Sequence, residues 1–354
     1  MAEHGVPSSV SVAVLGASGY TGGELVRLLI GHPSADLRYL GVRDAAQRSL
    51  DQIHPHLAGR VAAPLGELSV EAATDAADVV FLALPNGHAK DLAPELVENG
   101  RRVIDISGDF RLPADRYPEW YGFEHPAPAW LEKAVYGLPE WFADTIRDAE
   151  LIANPGCYTT TAILGLAPLL KEGLIEGDVI QVDGKSGLSG AGRGASEATS
   201  YVVSSDSVRP YRFPGHQHTP EFEHVLNAVT GASPRVIFVP HLVPSVRGVL
   251  CTSYARATGD GVTTESLTEV LVAAYADAPF VRVLPAGEMA DTKRSVGSNL
   301  IELHAAMDPR TGTVIVVGAL DNLIKGAAGQ AIQNFNLMHG LAETAGLSSV
   351  GVYP

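Results

Sequence analysis

The sequence predicts an α/β protein in two parts: an N-terminal doubly wound parallel sheet, and an α+β part whose sheet is largely antiparallel. Strand-like apolar runs alternate with helical patterns up to about residue 110, which favours parallel strands with helices on both faces. From residue 178 onward strand-like runs predominate, and residues 308–312 have the composition of a hairpin turn. We assign residues 1–153 to the first part, with a C-terminal segment 321–354 packing back on it, and residues 154–320 to the second.

The composition is that of an ordinary globular protein. The 354 residues suit two domains, and 46% hydrophobic with 18% charged residues allow a large core. A net charge of −15 argues against nucleic-acid or anionic-membrane partners, and no run approaches the ~18 apolar residues of a membrane helix. The N-terminus lacks a basic segment followed by an apolar one, and two cysteines do not make a disulfide framework. We therefore expect a cytoplasmic protein.

The N-terminal unit is a β-branched run, Val10–Leu15, followed by a glycine-rich loop and a helical pattern over 24–30. A strand, a glycine loop and a helix in this order form the first unit of a Rossmann-type dinucleotide-binding fold. Glycines let the backbone approach a pyrophosphate, which then rests on the helix N-terminus. The spacing Gly-x-x-Gly-x-x-Gly departs from the usual fingerprint. The cofactor-binding residues predicted here are Gly16, Ser18, Gly19, Tyr20, Thr21 and Gly22.

Further cofactor contacts are expected where the later parallel strands end. The second strand ends at Arg43, where a basic side chain would accept the 2′-phosphate of NADP, whereas Asp44 beside it keeps NAD open. Pro85 and Ser107 follow two more strands, and Arg111 lies just beyond. Ligands of such sheets bind beyond the carboxyl ends of the strands, so these residues should share one rim.

Cys157 follows a sharp turn, Asn154-Pro155-Gly156, between the end of a strand and an apolar helix. Free N–H groups and the positive helix end favour a thiolate there, and a thiolate attacks carbonyl carbon. The alternative is that Cys157 only packs in the core, as free cysteines often do. Cys251 lies in an apolar strand pattern and is interpreted as such a core residue.

His216 and His218 precede a helix that Thr219 should cap and Pro220 should begin, with Glu221 in its first turn. A reactive thiol needs a proton donor and acceptor nearby, and histidine suits neutral pH. A metal site formed by the two histidines and Glu221 is an alternative, but a metal would bind and passivate the thiolate. His54 and the nearby His56 have no further ligands around them, so no metal is predicted.

A second glycine-rich stretch, 185–194, follows a strand at 178–183 and carries Lys185 and Arg193. No helical pattern follows it, so we expect a loop that wraps an anion or closes over a site. A thiol, a histidine and a nicotinamide together imply chemistry at the acyl level. Attack on an activated acyl group gives a thioester, and its reduction releases an aldehyde.

Six blocks along nearly the whole chain carry a family resemblance. They are 16–22 (GASGYTG), 134–140 (AVYGLPE), 154–158 (NPGCY), 186–193 (SGLSGAGR), 216–221 (HQHTPE) and 321–330 (DNLIKGAAGQ). In this order they resemble the N-acetyl-γ-glutamyl-phosphate reductase family of arginine biosynthesis, within the semialdehyde dehydrogenase group. The resemblance implies a fold like that of glyceraldehyde-3-phosphate dehydrogenase. It also implies reduction of N-acetylglutamyl 5-phosphate by NADPH to N-acetylglutamate 5-semialdehyde, phosphate and NADP.

The resemblance also implies residue roles. Cys157 would be the nucleophile and His218 the acid/base, with His216 as second choice. The residues expected to hold the substrate are Arg111, Asn154, Glu221 and Arg193. Those expected beside the nicotinamide are Ser186, Gly187 and Asn322. A free apolar sheet face in the second part further suggests a homo-oligomer, a dimer or a tetramer.

Three alternatives stay open at this point. A sibling enzyme could reduce aspartyl phosphate or an N-acetyl-aminoadipyl phosphate, and one methylene changes pocket affinity by only ~1–3 kcal/mol. A cysteine hydrolase without a cofactor would leave the N-terminal glycine loop unexplained. A non-catalytic NADP sensor would bind cofactor without turnover.

Overall fold

The computed structural model describes residues 9–46 and 48–354, and its first sheet has seven strands. All pairings in it are parallel, and the strand order is β3-β2-β1-β4-β5-β7-β6. The strands are β1 (Val10–Leu15), β2 (Ala35–Val42), β3 (Leu65–Glu67), β4 (Val79–Leu82), β5 (Arg102–Asp105), β6 (Val135–Tyr136) and β7 (Leu151–Ala153). The helices between them are α1 (Tyr20–Leu29), α2 (Leu50–Ile53), α3 (Val70–Ala76), α4 (Ala89–Glu98), α5 (Tyr117–Tyr121), α6 (Pro128–Leu131) and α7 (Pro139–Arg147).

Apolar clusters cover this sheet on both faces. Successive side chains of a strand point to opposite faces, so a single strand can contribute to both clusters. Val12 and Val14 of β1 belong to one apolar cluster together with α1. Ala13 and Leu15 belong to a second cluster, together with α3 and α4. The predicted doubly wound parallel sheet is therefore confirmed.

The second sheet also has seven strands, in the order β12-β13-β14-β11-β8-β10-β9. The strands are β8 (Ile180–Gly187), β9 (Arg209–Pro210), β10 (Val236–Val243), β11 (Val249–Arg256), β12 (Val281–Val283), β13 (Ile301–Asp308) and β14 (Thr313–Leu320). Its helices are α8 (Cys157–Lys171), α9 (Tyr201–Ser204), α10 (His218–Thr230), α11 (Thr264–Ala274) and α12 (Thr292–Ser295). The β8–β10 and β12–β13 pairs are parallel and the rest antiparallel, so the sheet is mixed but largely antiparallel, as predicted.

One face of this sheet packs on helices and the other is partly open. α8, α10 and α11 contribute to one large apolar cluster with inward residues of the strands. On β10 buried residues alternate with partly exposed ones, and Ile237 on the outer face is 48% exposed. An antiparallel sheet with one open face is common, and it agrees with the free face expected from the sequence.

The structure corrects three local boundaries. Lys185, Ser186 and Gly187 continue strand β8 instead of forming a loop, since β8 pairs with β10 as far as Gly187. Helix α8 begins at Cys157 itself, with Gly156 as its extended N-cap. Helix α10 begins at His218, so Thr219 lies inside the helix and does not cap it.

The C-terminal segment returns to the first sheet. A π-helix, Ile324–Ala328, leads into α13 (Gly329–Met338), and the Phe335 ring lies 5.9 Å from that of Phe81 in β4. Short 3₁₀ turns occupy Pro55–Leu57, Ala114–Arg116, Leu188–Ala191 and Glu197–Thr199. Across the described ranges, none of the helices has the length and apolar character needed to span a bilayer.

Candidate active site

Cys157 lies at the first position of α8, directly after the turn that leaves β7. A side chain on Gly156 would meet His218 Nε2 at 2.4 Å and Arg111 Nη1 at 3.0 Å, so only glycine lets both groups approach the turn. On the other side the π-helix backs the cysteine, because a side chain on Gly326 would lie 2.7 Å from Cys157 Cβ. The turn therefore brings a thiol, an imidazole and a guanidinium to one place.

Glu221 fixes this turn from α10. Its fully buried carboxylate accepts hydrogen bonds at Oε1 from Gly156 N (2.9 Å), Thr159 Oγ1 (2.7 Å) and Tyr136 OH (2.8 Å). Its Oε2 accepts from Arg111 Nη1 at 3.2 Å. Both oxygens are thus engaged by the protein. Glu221 therefore anchors the turn, and the expected contact of Glu221 with the substrate stays a prediction.

Two of the five N–H donors of Arg111 bind the protein. Nη1 binds Glu221 and Nη2 donates to Ile106 O at 2.8 Å, whereas Nε is buried without a partner. Burial is the largest single influence and would lower the Arg111 pKa, but Glu221, the nearby tyrosines and Asp105 together raise the pKa, so the guanidinium stays charged. The expected contact of Arg111 with the substrate stays a prediction.

The two histidines occupy different positions. His218 Nε2 lies at Gly156 and 4.0 Å from Glu221 Oε2, and its buried Nδ1 has no partner. His216 is held behind it: its Nδ1 accepts from His218 N at 3.1 Å, and its ring packs edge-on to Tyr158 and Phe238. The geometry therefore favours His218 as the proton-transfer group and His216 as its support.

Burial sets the charge states of the Cys157 thiol and the His218 imidazole. It raises the pKa of Cys157 to about 11, although the Tyr158 N–H and Arg111 oppose the rise, and Glu221 adds to it. It lowers the pKa of His218 well below the usual range and that of His216 to about 2. The resting pair is a neutral thiol and a neutral imidazole. The predicted helix-end thiolate is thus wrong for the resting side chain, because desolvation outweighs the helix end.

Asn154 binds the C-terminal segment through its side chain. Its fully buried amide donates to Ala327 O at 3.2 Å and accepts from Asn334 Nδ2 at 3.1 Å. These contacts tie the turn to the π-helix and α13. Asn154 therefore joins these segments, and its expected contact with the substrate stays a prediction.

The glycine loop has the shape that a pyrophosphate needs. Gly16 has φ of +93°, and a side chain there would lie 2.3 Å from Ala83 O. A side chain on Gly22 would lie 2.2 Å from Gly16 O, which holds loop and helix in close contact. Gly19, the N-cap of α1, has no such neighbour and makes no side-chain cap. The first amides of α1, at Tyr20 and Thr21, are therefore left for an anion, and the loop fits a dinucleotide.

The other predicted cofactor residues surround this loop or the cysteine turn. Arg43 is exposed just after β2, Pro85 is exposed after β4, and Ser107 is buried after β5 with its hydroxyl on Asp105. Asn322 donates to Ser189 Oγ at 2.9 Å, which places it against the end of β8 where Ser186 and Gly187 lie.

Arg193 lies on the cofactor side of the molecule. Its Nη1 donates to Ser18 O of the glycine loop at 3.1 Å, and the residue is exposed. Its position at the glycine loop also suits an anion bound there. The expected contact of Arg193 with a substrate phosphate stays a prediction.

Sequence reasoning missed several supporting residues. His54, for which the sequence predicts no metal-binding role, is buried, and its Nε2 forms a hydrogen bond with Ala17 O of the glycine loop at 2.8 Å. Tyr136 and Thr159 bind Glu221 from sites 85 and 62 positions away in sequence. In the sequence, only the family blocks at 134–140 and 154–158 indicated that Tyr136 and Thr159 lie in or next to a functional segment. Within the described ranges, no group of three or more His, Cys, Asp or Glu residues is arranged to hold a metal.

Fold and site together define a member of the semialdehyde dehydrogenase class. The family model "Semialdehyde dehydrogenase, NAD binding domain" matches residues 11–149, and "Semialdehyde dehydrogenase, dimerisation domain" matches 157–322. The fold resembles aspartate semialdehyde dehydrogenase II of Vibrio cholerae, with TM-score 0.71 and 16% identity over 94% of this chain and 98% of the other. The Candida albicans enzyme with NADP gives TM-score 0.69 and 17% identity over the same shares.

Sequence comparison assigns the family within this class. The chain is 46% identical to the N-acetyl-gamma-glutamyl-phosphate reductase of Thermosynechococcus vestitus, over 98% of this chain and 99% of that protein. It is also 46% identical to the protein of that name from Brevibacillus brevis, over 98% and 100%. The chain belongs to the N-acetyl-gamma-glutamyl-phosphate reductase family and is an oxidoreductase.

Proposed function

We propose that this protein reduces N-acetyl-γ-glutamyl phosphate to N-acetylglutamate 5-semialdehyde with NADPH, releasing phosphate, as a step of arginine biosynthesis. The observation that carries the proposal is the convergence of Cys157, His218 and Arg111 on Gly156 in a chain of this family. A thiol beside a neutral imidazole is the arrangement that acyl transfer to sulfur requires.

The first half of the reaction is carried by the protein alone. Neutral His218 takes the thiol proton at Nε2 as Cys157 Sγ attacks the acyl carbon. The C–O bond to phosphate breaks, the phosphate leaves with the electron pair and takes a proton from solvent, and a thioester remains. The free Nε–H of Arg111 can hold an oxygen of the substrate during this step. Because thiol and imidazole both start neutral, proton transfer accompanies attack and does not precede it.

The second half needs the cofactor. When bound, NADPH supplies the hydride that reduces the thioester carbon. The aldehyde then leaves, and protonated His218 returns its proton to the sulfur. The residues that would hold the cofactor are Gly16, Gly19 and the first amides of α1, with Arg193 beside them and Arg43 at the 2′-phosphate end. Arg43, exposed after β2, supports NADP over NAD.

We further propose that copies of the chain associate through the open face of the second sheet. The partly exposed outer residues of β10 and the match to a dimerisation domain support this. Light scattering of the wild type and of an Ile237→Glu variant checks the association, since a charge on this face should weaken it.

Two free cysteines, one of them reactive, suit a reducing cytoplasm.

The test of the activity is NADP reduction in the phosphate-dependent reverse direction with purified protein. N-acetylglutamate semialdehyde should be the preferred aldehyde over aspartate semialdehyde and the N-acetyl-aminoadipate homologue. Cys157→Ala should lose nearly all turnover and keep NADPH binding. Turnover retained in Cys157→Ala, or a preference for another semialdehyde, would contradict the proposal.

A further inference from the structure

Arg247 connects the two parts of the molecule. It lies in the turn between β10 and β11, and its guanidinium forms ion pairs with two carboxylates of different segments. Nη2 lies 3.0 Å from Glu24 Oε2 in α1, and Nη1 lies 3.3 Å from Asp321 Oδ2 after β14. The Glu24 and Asp321 side chains are only 4% and 0% exposed. Since both carboxylates are buried, the bridge is held in a fixed geometry rather than formed loosely in solvent.

At one end the bridge holds the helix that follows the glycine loop. Glu24 lies one turn into α1, and its Oε1 accepts from Arg27 at 2.7 Å. Burial alone would raise the Glu24 pKa, but hydrogen bonds from Arg27 and Arg247 outweigh it and lower the pKa. Glu24 is therefore ionised and tied at both oxygens. The direction of α1, and hence of the amides at its N-terminus, depends in part on Arg247.

At the other end the backbone of the same turn holds the end of β8. Gly187 N donates to Gly248 O at 2.9 Å, and a side chain on Gly187 would lie 2.9 Å from Arg247 N. Gly248 N donates to Asn322 Oδ1 at 2.8 Å. The residues expected beside the nicotinamide are thus fastened to the turn that carries Arg247.

We propose that Arg247 is a positioning residue for the dinucleotide. It sets the distance between the N-terminus of α1, where the pyrophosphate would bind, and the Gly187–Asn322 surface, where the nicotinamide would bind. The inference rests on the proposed cofactor. A guanidinium is suited to this task because its planar fork reaches two carboxylates at once, which a lysine ammonium does less well. The function of Arg247 lies in cofactor affinity, and the thiol chemistry at Cys157 does not depend on it directly.

The test compares Arg247→Met with a matched control, Arg294→Met. Arg294 pairs at 2.9 Å with fully buried Glu302 and is 32% exposed, against 28% for Arg247, but it does not reach α1. NADPH dissociation constants come from titration of protein fluorescence without substrate. We expect Arg247→Met to weaken NADPH binding about tenfold, a usual size for coupling between sites. The KM for NADPH should rise in parallel, with little change in KM for the acyl substrate, and Arg294→Met should bind NADPH like wild type.

Two further variants keep the test decisive if Arg247→Met folds poorly. Glu24→Gln removes the α1 side of the bridge, and Arg247→Lys keeps the charge. Glu24→Gln should weaken NADPH binding as Arg247→Met does, the double variant should be no weaker than either single one, and Arg247→Lys should recover part of the loss. Iodoacetamide alkylation of Cys157 without cofactor should proceed at the wild-type rate in all of them.

The outcomes separate the two proposals. Wild-type NADPH affinity in Arg247→Met, or additive losses in the double variant, would overturn the positioning role. An equal loss in Arg294→Met would show general destabilisation and overturn it too. If the wild-type protein binds no nicotinamide dinucleotide at all, the proposed function fails first and is recognised from the wild type alone.

Discussion

Glu221→Gln probes the turn at Cys157 most directly. The substitution keeps the side-chain shape but removes the charge of a fully buried carboxylate paired with Arg111. The amide oxygen of the introduced glutamine can still accept from Gly156 N, but its NH₂ group meets the Arg111 donor, so the guanidinium loses its counter-charge. Breaking a buried ion pair from one side costs about 3–5 kcal/mol. Both side chains are nearly inaccessible, at 7% and 0% exposure, so solvent screens this cost little.

The same change should separate thiol reactivity from turnover. Glu221 raises the Cys157 pKa and Arg111 lowers it, so an uncompensated Arg111 should make the thiol more acidic. Alkylation of Cys157 near neutral pH should become faster. Turnover should fall on the order of 10²-fold, because misplacing the reacting groups by about 1 Å has that effect.

The assays are urea unfolding, the pH profile of iodoacetamide alkylation, and kcat. Glu223→Gln is the control on the same helix, since Glu223 accepts one bond from Val236 N that glutamine can keep. The control should behave like wild type. Wild-type stability in Glu221→Gln, or an alkylation profile shifted to higher pH, would refute the reasoning.

Buried polar groups give three further predictions. His218→Asn should lower kcat by about 10²–10⁴-fold, which is the usual contribution of a general acid/base. His216→Asn should lower kcat far less, because asparagine keeps an acceptor for His218 N. Steady-state kinetics measures both variants, and equal losses would contradict the assignment of His218. Burial lowers the pKa of His216 from 6.5 to about 2, so below about pH 6.5 only the unfolded chain binds this proton. The free energy of unfolding should therefore fall by up to ~1.4 kcal/mol for each pH unit below that point. Urea unfolding at several pH values measures this slope, and His216→Asn should flatten it. Lys325→Met leaves the Glu140 carboxylate without its ion-pair partner, at a place where the two side chains are 0% and 1% exposed. The free energy of unfolding should fall by about 3–5 kcal/mol, and adding Glu140→Gln should restore part of it. A Lys325→Met variant as stable as wild type in urea unfolding would contradict this prediction.

Patterns of neighbouring residues predicted most of the architecture. The run Val10–Leu15, the glycines after it and the following helix form as expected, because strand, turn and helix preferences act over a few residues. The end of strand β8 differs from the prediction, because glycine and lysine in 185–187 favour a loop whereas these residues continue the strand. Strand β8 extends to Gly187 because it pairs with β10 up to that residue, and β10 lies far from β8 in sequence.

The candidate catalytic residues follow from short patterns and blocks, whereas the side chains that support them do not. The turn, the histidine pair and the block resemblance indicate Cys157, His218 and Arg111, and the structure brings these three together at Gly156. Their catalytic roles stay predictions. The contact between Glu221 and Gly156 spans 65 positions, and the pair Glu221–Arg111 spans 110. No local pattern carries such contacts.

The sequence by itself determined the two-part α/β architecture, the glycine loop between β1 and α1, and the place of Cys157 after a strand-to-helix turn, because each depends on residue types in a short stretch or on blocks in a fixed order. Only the tertiary structure decided the direction of the Cys157 pKa shift, that His218 rather than His216 lies at Gly156, and that Glu221 anchors the turn. These depend on desolvation and on partners from distant segments, since a pKa reflects every group packed around the titrating atom.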